Sequence, residues 1–186
     1  MLFRSIDANR AESLAQEFSE YVSKYNIAGD STAPRSPAVY NFLPFARLLV
    51  EKIPQVSDIL GESVLPTYTY ARTYAHGERL FRHRDREACE ISLTLNLKKD
   101  TNWPIGMQKP NGEDVYMELN PGDAILYLAC QTDHWRDTYG GYGHTQVFLH
   151  YVKSFGSKAW AVFDKESEPN PTQPNEDIPD IPVTRL

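Results

Sequence analysis

Cysteine is scarce in this chain: Cys89 and Cys130 are the only two in 186 residues. They lack the spacing of a zinc site and cannot make a disulfide framework, so both read as free thiols of a reducing compartment. No apolar run approaches the roughly 20 residues needed to cross a bilayer. The opening Met1-Leu2-Phe3-Arg4-Ser5-Ile6-Asp7 carries charge where a secretory leader needs an unbroken hydrophobic stretch. The expectation is a cytoplasmic protein without membrane association. Basic residues are also in deficit, 19 against 25 acidic ones, for a net charge of −6. That argues against the broad basic surface of a nucleic-acid binder. One local concentration stands out, Arg79, Arg82, Arg84 and Arg86. It reads as a solvated face or, alternatively, as a receiving surface for an acidic acceptor.

What remains is a length and a 41% hydrophobic, 12% aromatic composition that suit one folded domain. Residues 1–64 read as a helical support region. Leu14, Phe18, Tyr21, Val22 and Tyr25 fall at helical spacing over 11–25. A loop rich in Gly, Ser and Pro follows over 29–37. A second helix is expected over 42–60, broken in two by Pro54. From 65 to about 165 the texture is that of strands, and from Glu166 the tail is Pro- and acid-rich with little to bury.

Alternation over 67–75 places Tyr68, Tyr70, Arg72 and Tyr74 on one face. Over 90–97, Ile91, Leu93, Leu95 and Leu97 oppose Glu90, Ser92, Thr94 and Asn96. Pro110-Asn111-Gly112-Glu113 predicts a hairpin between strands over 103–108 and 115–119. Asn120-Pro121-Gly122-Asp123 predicts a turn into a strand over 124–129, and the last strand is expected over 146–152. Seven or so short strands after N-terminal helices predict a β-sandwich or jelly roll rather than βαβ units.

The chemistry concentrates in Phe81-Arg82-His83-Arg84-Asp85. On a strand, His83 and Asp85 project to the same side. His134 lies far downstream in Asp133-His134-Trp135, after a turn and an apolar strand, and is expected to end a strand. Two histidines and one carboxylate are the donor set of a facial triad for non-haem Fe(II), with positions left open for other ligands. His144 and His150 read as strand histidines, each an alternative third ligand if the register differs. His76 reads as a turn residue, and Trp103, Tyr127 and Trp135 as packing groups.

Tyr70-Ala71-Arg72-Thr73-Tyr74-Ala75-His76-Gly77, followed by His83-Arg84-Asp85, resembles the strand, turn and His-x-Asp segment of Fe(II)- and 2-oxoglutarate-dependent oxygenases. More closely, it is similar to their prolyl 4-hydroxylase-like branch. Leu119-Asn120-Pro121-Gly122-Asp123-Ala124-Ile125-Leu126-Tyr127 with His134, and Val147-Phe148-Leu149-His150-Tyr151-Val152, resemble that branch's approach to its distal histidine and its closing strand. The resemblance covers about half of the chain. It implies a double-stranded β-helix, mainly β with N-terminal helices, in the class of jelly-roll or cupin-like barrels. It implies Fe(II) on His83, Asp85 and His134, 2-oxoglutarate as cosubstrate with O2, ascorbate as an accompanying reductant, and a peptide, protein or small-molecule acceptor. Because halogenating relatives leave the carboxylate position open, Asp85 favours hydroxylation, with a prolyl or other peptide side chain foremost.

The pattern departs from the family at one position. An Arg or Lys on the closing strand usually holds the distal carboxylate of 2-oxoglutarate, and the register places Gln146 there. A neutral amide cannot make that ion pair. His144, Arg136, Arg72, Tyr70 and Tyr74 are the alternatives. Two other readings compete with the oxygenase: a cupin-like metalloenzyme without 2-oxoglutarate, with His144 or His150 as a fourth ligand on the metal, and a non-catalytic jelly-roll module.

Overall fold

The computed structural model describes residues 1–164, so the tail read from Glu166 lies outside the described residues. Helix α1 (Ala8–Lys24) opens on Asp7, whose carboxylate accepts the Arg10 backbone N–H at 2.9 Å and satisfies a donor of the first turn. Ala11, Ala15 and Phe18 form its buried stripe. The expected second helix is two, α2 (Leu43–Glu51) and α3 (Ile53–Leu60), parted at Lys52. Pro54 lacks an N–H and its ring blocks a continuous turn, so it sits in the first turn of a new helix. Gly61, at φ 71°, then caps α3 in the left-handed region.

Among the described residues ten strands accompany these helices: β1 (Leu2–Arg4), β2 (Ala38–Tyr40), β3 (Val64–Tyr74), β4 (Leu80–His83), β5 (Ile91–Lys98), β6 (Ile105–Gln108), β7 (Asp114–Met117), β8 (Asp123–Tyr127), β9 (His134–Arg136) and β10 (His144–Lys153). Six form an antiparallel sheet in the order β1-β8-β5-β10-β3-β2, and four form a second in the order β4-β9-β6-β7. From β3 to β10 the chain passes from sheet to sheet at every connection except the β6–β7 hairpin. That winding is a double-stranded β-helix, as expected.

Two expectations are corrected. Residues 1–64 are not helical alone, since β1 pairs with β8 and β2 with β3; three-residue edge strands are too short to show an alternation. His134 opens β9 instead of ending a strand. The preceding strand stops at Tyr127, and the backbone N–H groups of Gln131 and Thr132 both turn back to the Leu128 carbonyl.

The helices cover one face of the large sheet, where Ile91, Leu93, Leu95 and Leu97 join Phe18, Phe45, Leu48 and Leu49 in the main core. The opposite face of β5 is polar yet equally hidden: Ser92, Thr94 and Asn96 are completely buried. Buried polar groups need partners, and this inner face holds the site.

Gly106 fixes the small sheet. It pairs with Trp135 on β9, and a Cβ there would lie 2.3 Å from the indole. The indole has little room to move, with Arg82 3.6 Å from one ring and Tyr116 edge-on at 5.7 Å. Gly106→Ala is expected to cost about 1–3 kcal/mol by overpacking, read as a lower midpoint in chemical denaturation. A midpoint equal to wild type would show that the indole gives way freely.

Candidate metal centre

His83 ends β4 and His134 begins β9, and the two residues are directly paired across the strands. Their rings lie 4.2 Å apart, centre to centre. Asp85 follows two residues after His83, and its backbone N–H is fixed by the Ala129 carbonyl at 3.1 Å. Its Oδ1 is 3.4 Å from His83 Nε2 and 3.6 Å from His134 Nε2. The donor atoms of these three residues all lie within 4.8 Å of one another.

Both histidines are turned for ligation. Nδ1 of His83 donates to the Phe81 carbonyl at 2.7 Å, and Nδ1 of His134 to the Thr132 carbonyl at 3.1 Å. With the proton on Nδ1, each Nε2 offers a lone pair, the arrangement that fixes a metal-binding imidazole. The donor chemistry therefore fits a divalent transition metal. The hydrogen bond to Asp85 raises the pKa of His83, so a metal at its Nε2 would compete with a proton, whereas burial lowers that of His134 and favours its neutral form. Burial opposes charge on Asp85, but the His83 hydrogen bond and the charges of His150, His134 and His83 hold its carboxyl below the usual range.

The triad opens on a cleft of about 210 Å³. Tyr40, Tyr68, Tyr70 and Phe148 form its aromatic wall, and Arg72, Tyr74 and Asp30 lie further along it. Arg72 is 2% exposed; it pairs with Asp30 and donates to the Tyr70 hydroxyl, so a loop residue straps its guanidinium. Nothing in the loop's composition singled out Asp30 for this role.

On β10, Gln146 and His144 are the register partners of Arg72 and Tyr74. Both are buried on the inner face, and Gln146 Oε1 accepts from Arg136 Nη2 at 2.6 Å. Arg136, two residues past His134, is 2% exposed; it also donates to the Trp103 carbonyl. Among the described residues no carboxylate pairs with it. Burial pulls its pKa down to about 10. Around it, Gln146 Nε2, His144 Nδ1 and Asn96 Oδ1 are buried without hydrogen-bond partners. A buried cation among orphaned polar atoms fits a polar anion.

His144 is not brought to the triad, so it supplies no fourth metal ligand. His150 meets Asp85 and Cys89 instead of the two triad histidines. The arginine cluster is largely neutralised, with Arg82 on Asp114, Arg84 on Asp133 and Arg86 on Asp164. Arg79 lies 4.1 Å from the Phe81 ring centre.

His144 also carries a pH prediction. Burial and the nearby Arg136 charge lower its folded pKa to about 3. Below about 6.5 the unfolded chain takes up a proton there that the fold refuses. Its contribution is therefore complete above pH 6.5 and declines as pH falls toward 3, by up to about 1.4 kcal/mol per pH unit. Stability measured by denaturant between pH 7 and pH 4 is expected to fall less steeply in His144→Gln. An unchanged slope would place the proton uptake elsewhere.

No protein-family model matches the sequence, and no curated protein matches it. Solved structures do. A prolyl-4-hydroxylase from Pseudomonas putida superposes with a TM-score of 0.67 at 13% identity, over 82% of this chain and 92% of that one. HygX from Streptomyces hygroscopicus, with nickel and 2-oxoglutarate bound, gives 0.66 at 11% identity, over 85% and 84%. EctD from S. alaskensis in its apoform gives 0.65 at 14%, over 82% and 72%. At these identities the likeness is one of fold. The chain has the double-stranded β-helix of the Fe(II)/2-oxoglutarate oxygenase structures, and the barrel mouth carries two histidines and a carboxylate in ligating array.

Proposed function

We propose that this protein is a non-haem Fe(II)- and 2-oxoglutarate-dependent dioxygenase that hydroxylates a C–H bond. One observation carries the reading. Inside a single barrel, three metal-donor side chains accompany a buried guanidinium that has no carboxylate partner among the described residues. Fe(II) and 2-oxoglutarate together supply dioxygen activation, coupled to loss of CO2 from the cosubstrate and oxygen insertion into the acceptor.

In this reading His83, Asp85 and His134 hold the metal from one side and leave the other side to ligands that exchange. Arg136 takes the distal carboxylate of the cosubstrate, with Gln146 orienting the guanidinium and offering its free amide N–H. The protein charges are already balanced, Arg72 and Arg136 against Asp30 and Asp85. A divalent cation and a dianion thus enter as a neutral pair, which limits the cost of burying either. Asp85 occupies a ligand position that a halide would need, which favours hydroxylation.

The acceptor enters along Tyr40, Tyr68, Tyr70 and Phe148. A wall of aromatic faces suits a compact saturated ring or other apolar group presented edge-on, and a prolyl or another peptide side chain is the acceptor favoured here. Cys89 and Cys130 are free thiols, which supports a cytoplasmic setting. Among the described residues no helix is long and apolar enough to cross a membrane.

The test is anaerobic addition of Fe(II), then 2-oxoglutarate, to metal-free protein while the visible spectrum is followed. A weak charge-transfer band that needs both additions is expected. Iron binding without the band would remove 2-oxoglutarate and leave a cupin-like metalloenzyme. Failure of iron itself to bind would remove the triad.

A further inference from the structure

We propose that Ser92 and His150 are positioning residues that restrict Asp85 to a one-oxygen metal ligand; this rests on the metal-centre reading above. The two oxygens of the Asp85 carboxylate face different groups. Oδ1 is turned toward both histidine Nε2 atoms, whereas Oδ2 accepts from Ser92 Oγ at 3.3 Å. Ser92 Oγ lies 2.8 Å from His150 Nδ1. A serine hydroxyl has one proton and an ionised carboxylate can only accept. The chain therefore has one sense: His150 Nδ1–H donates to Ser92 Oγ, and Ser92 O–H donates to Asp85 Oδ2.

The relay is built rigidly. Ser92 on β5 and His150 on β10 are direct register partners, completely buried and 4% exposed respectively. The His150 ring lies 4.6 Å from Tyr68 and is parallel to Phe148 within 3°. A carboxylate left free would rotate and present neither oxygen to the metal in a fixed direction, at a cost in affinity. Holding Oδ2 on a buried hydroxyl leaves Oδ1 alone to the metal and fixes its direction, as outer-shell contacts do at metal centres.

The same residues admit a different role. Donor atoms of Asp85, Cys89 and His150 also lie within 4.8 Å of one another, and the Cys89 thiol is hydrogen-bonded to the Tyr68 hydroxyl at 2.9 Å. If these formed a second cation set, His150 would be a ligand and not a prop.

Mn(II) titration of the full chain, followed by the electron paramagnetic resonance signal of free Mn(II), separates these cases. One Mn(II) per chain is expected in wild type. Ser92→Ala should weaken it roughly 10- to 100-fold, and His150→Phe, which keeps the ring packing, should weaken it less. Ser92→Thr restores the hydroxyl on a strand-compatible side chain and should recover wild-type affinity. A merely structural role would lower the melting temperature without this pattern. Wild-type affinity in a folded Ser92→Ala overturns the proposal. So does a second Mn(II) equivalent that His150→Phe removes. If wild type bound no Mn(II), or His83→Ala bound it as well as wild type, the metal-centre reading itself would fail.

Discussion

Asp85→Ala is expected to abolish turnover and to weaken Fe(II) or Mn(II) beyond the 10- to 100-fold typical of losing an outer contact, while leaving the fold intact. The asymmetry follows from where Asp85 sits. Its side chain is 17% exposed at the barrel mouth, outside the hydrophobic clusters, and its backbone N–H bond to Ala129 survives the change. The main loss is the oxygen that both imidazoles face. Two histidines remain, and they cannot define one face of a metal by themselves. Metal titration together with thermal melting is the check. Retained affinity would show that the ligand set is wrong, whereas an unfolded variant would show that the carboxylate is structural.

Arg136→Gln is expected to raise the dissociation constant for 2-oxoglutarate by roughly ten- to a hundredfold, because a charge-assisted hydrogen bond contributes about 1.5–3 kcal/mol. The sign of the stability effect is a separate prediction. Without an anion, Arg136 is a buried cation facing only neutral acceptors, so removing its charge relieves desolvation. The ligand-free variant should melt no lower than wild type. Saturating 2-oxoglutarate should stabilise wild type by mass action and leave the variant unmoved. If the variant kept the wild-type affinity, the anchor would pass to Arg72, the other buried guanidinium on this face, and Asp30 would have to leave it.

Much of this fold was legible because alternation over long strands is unambiguous. Ile91 to Leu97 set the helix-facing side of β5, and Tyr68 to Tyr74 set the inner face of β3. The His-x-Asp spacing was legible, but its strand reading was not borne out: β4 ends at His83, and the Ala129 carbonyl, not a strand pleat, holds Asp85 beside it. The rule that residues two apart on a strand share a face does pair His134 with Arg136 on β9, so a buried arginine beside the triad was within reach of the sequence. Its lack of a counter-ion was not, because that depends on which strands close around it. β1 and β2 escaped detection because three residues carry no period. The strap from Asp30 to Arg72, and the relay from His150 through Ser92, join residues 42 and 58 positions apart. Only closure of the barrel brings such partners together.

The pairing of His83 with His134 has a consequence for how the barrel holds together. Among the described residues β4 is an outer strand of its sheet, with β9 its sole neighbour there. A metal on those two side chains would act as a rivet through the last seam of the barrel, joining segments that the chain itself leaves 51 residues apart. Occupancy of the centre and closure of that edge then become one equilibrium. Losing the metal would release the seam beside the acceptor cleft first, while the helix-backed sheet stayed whole.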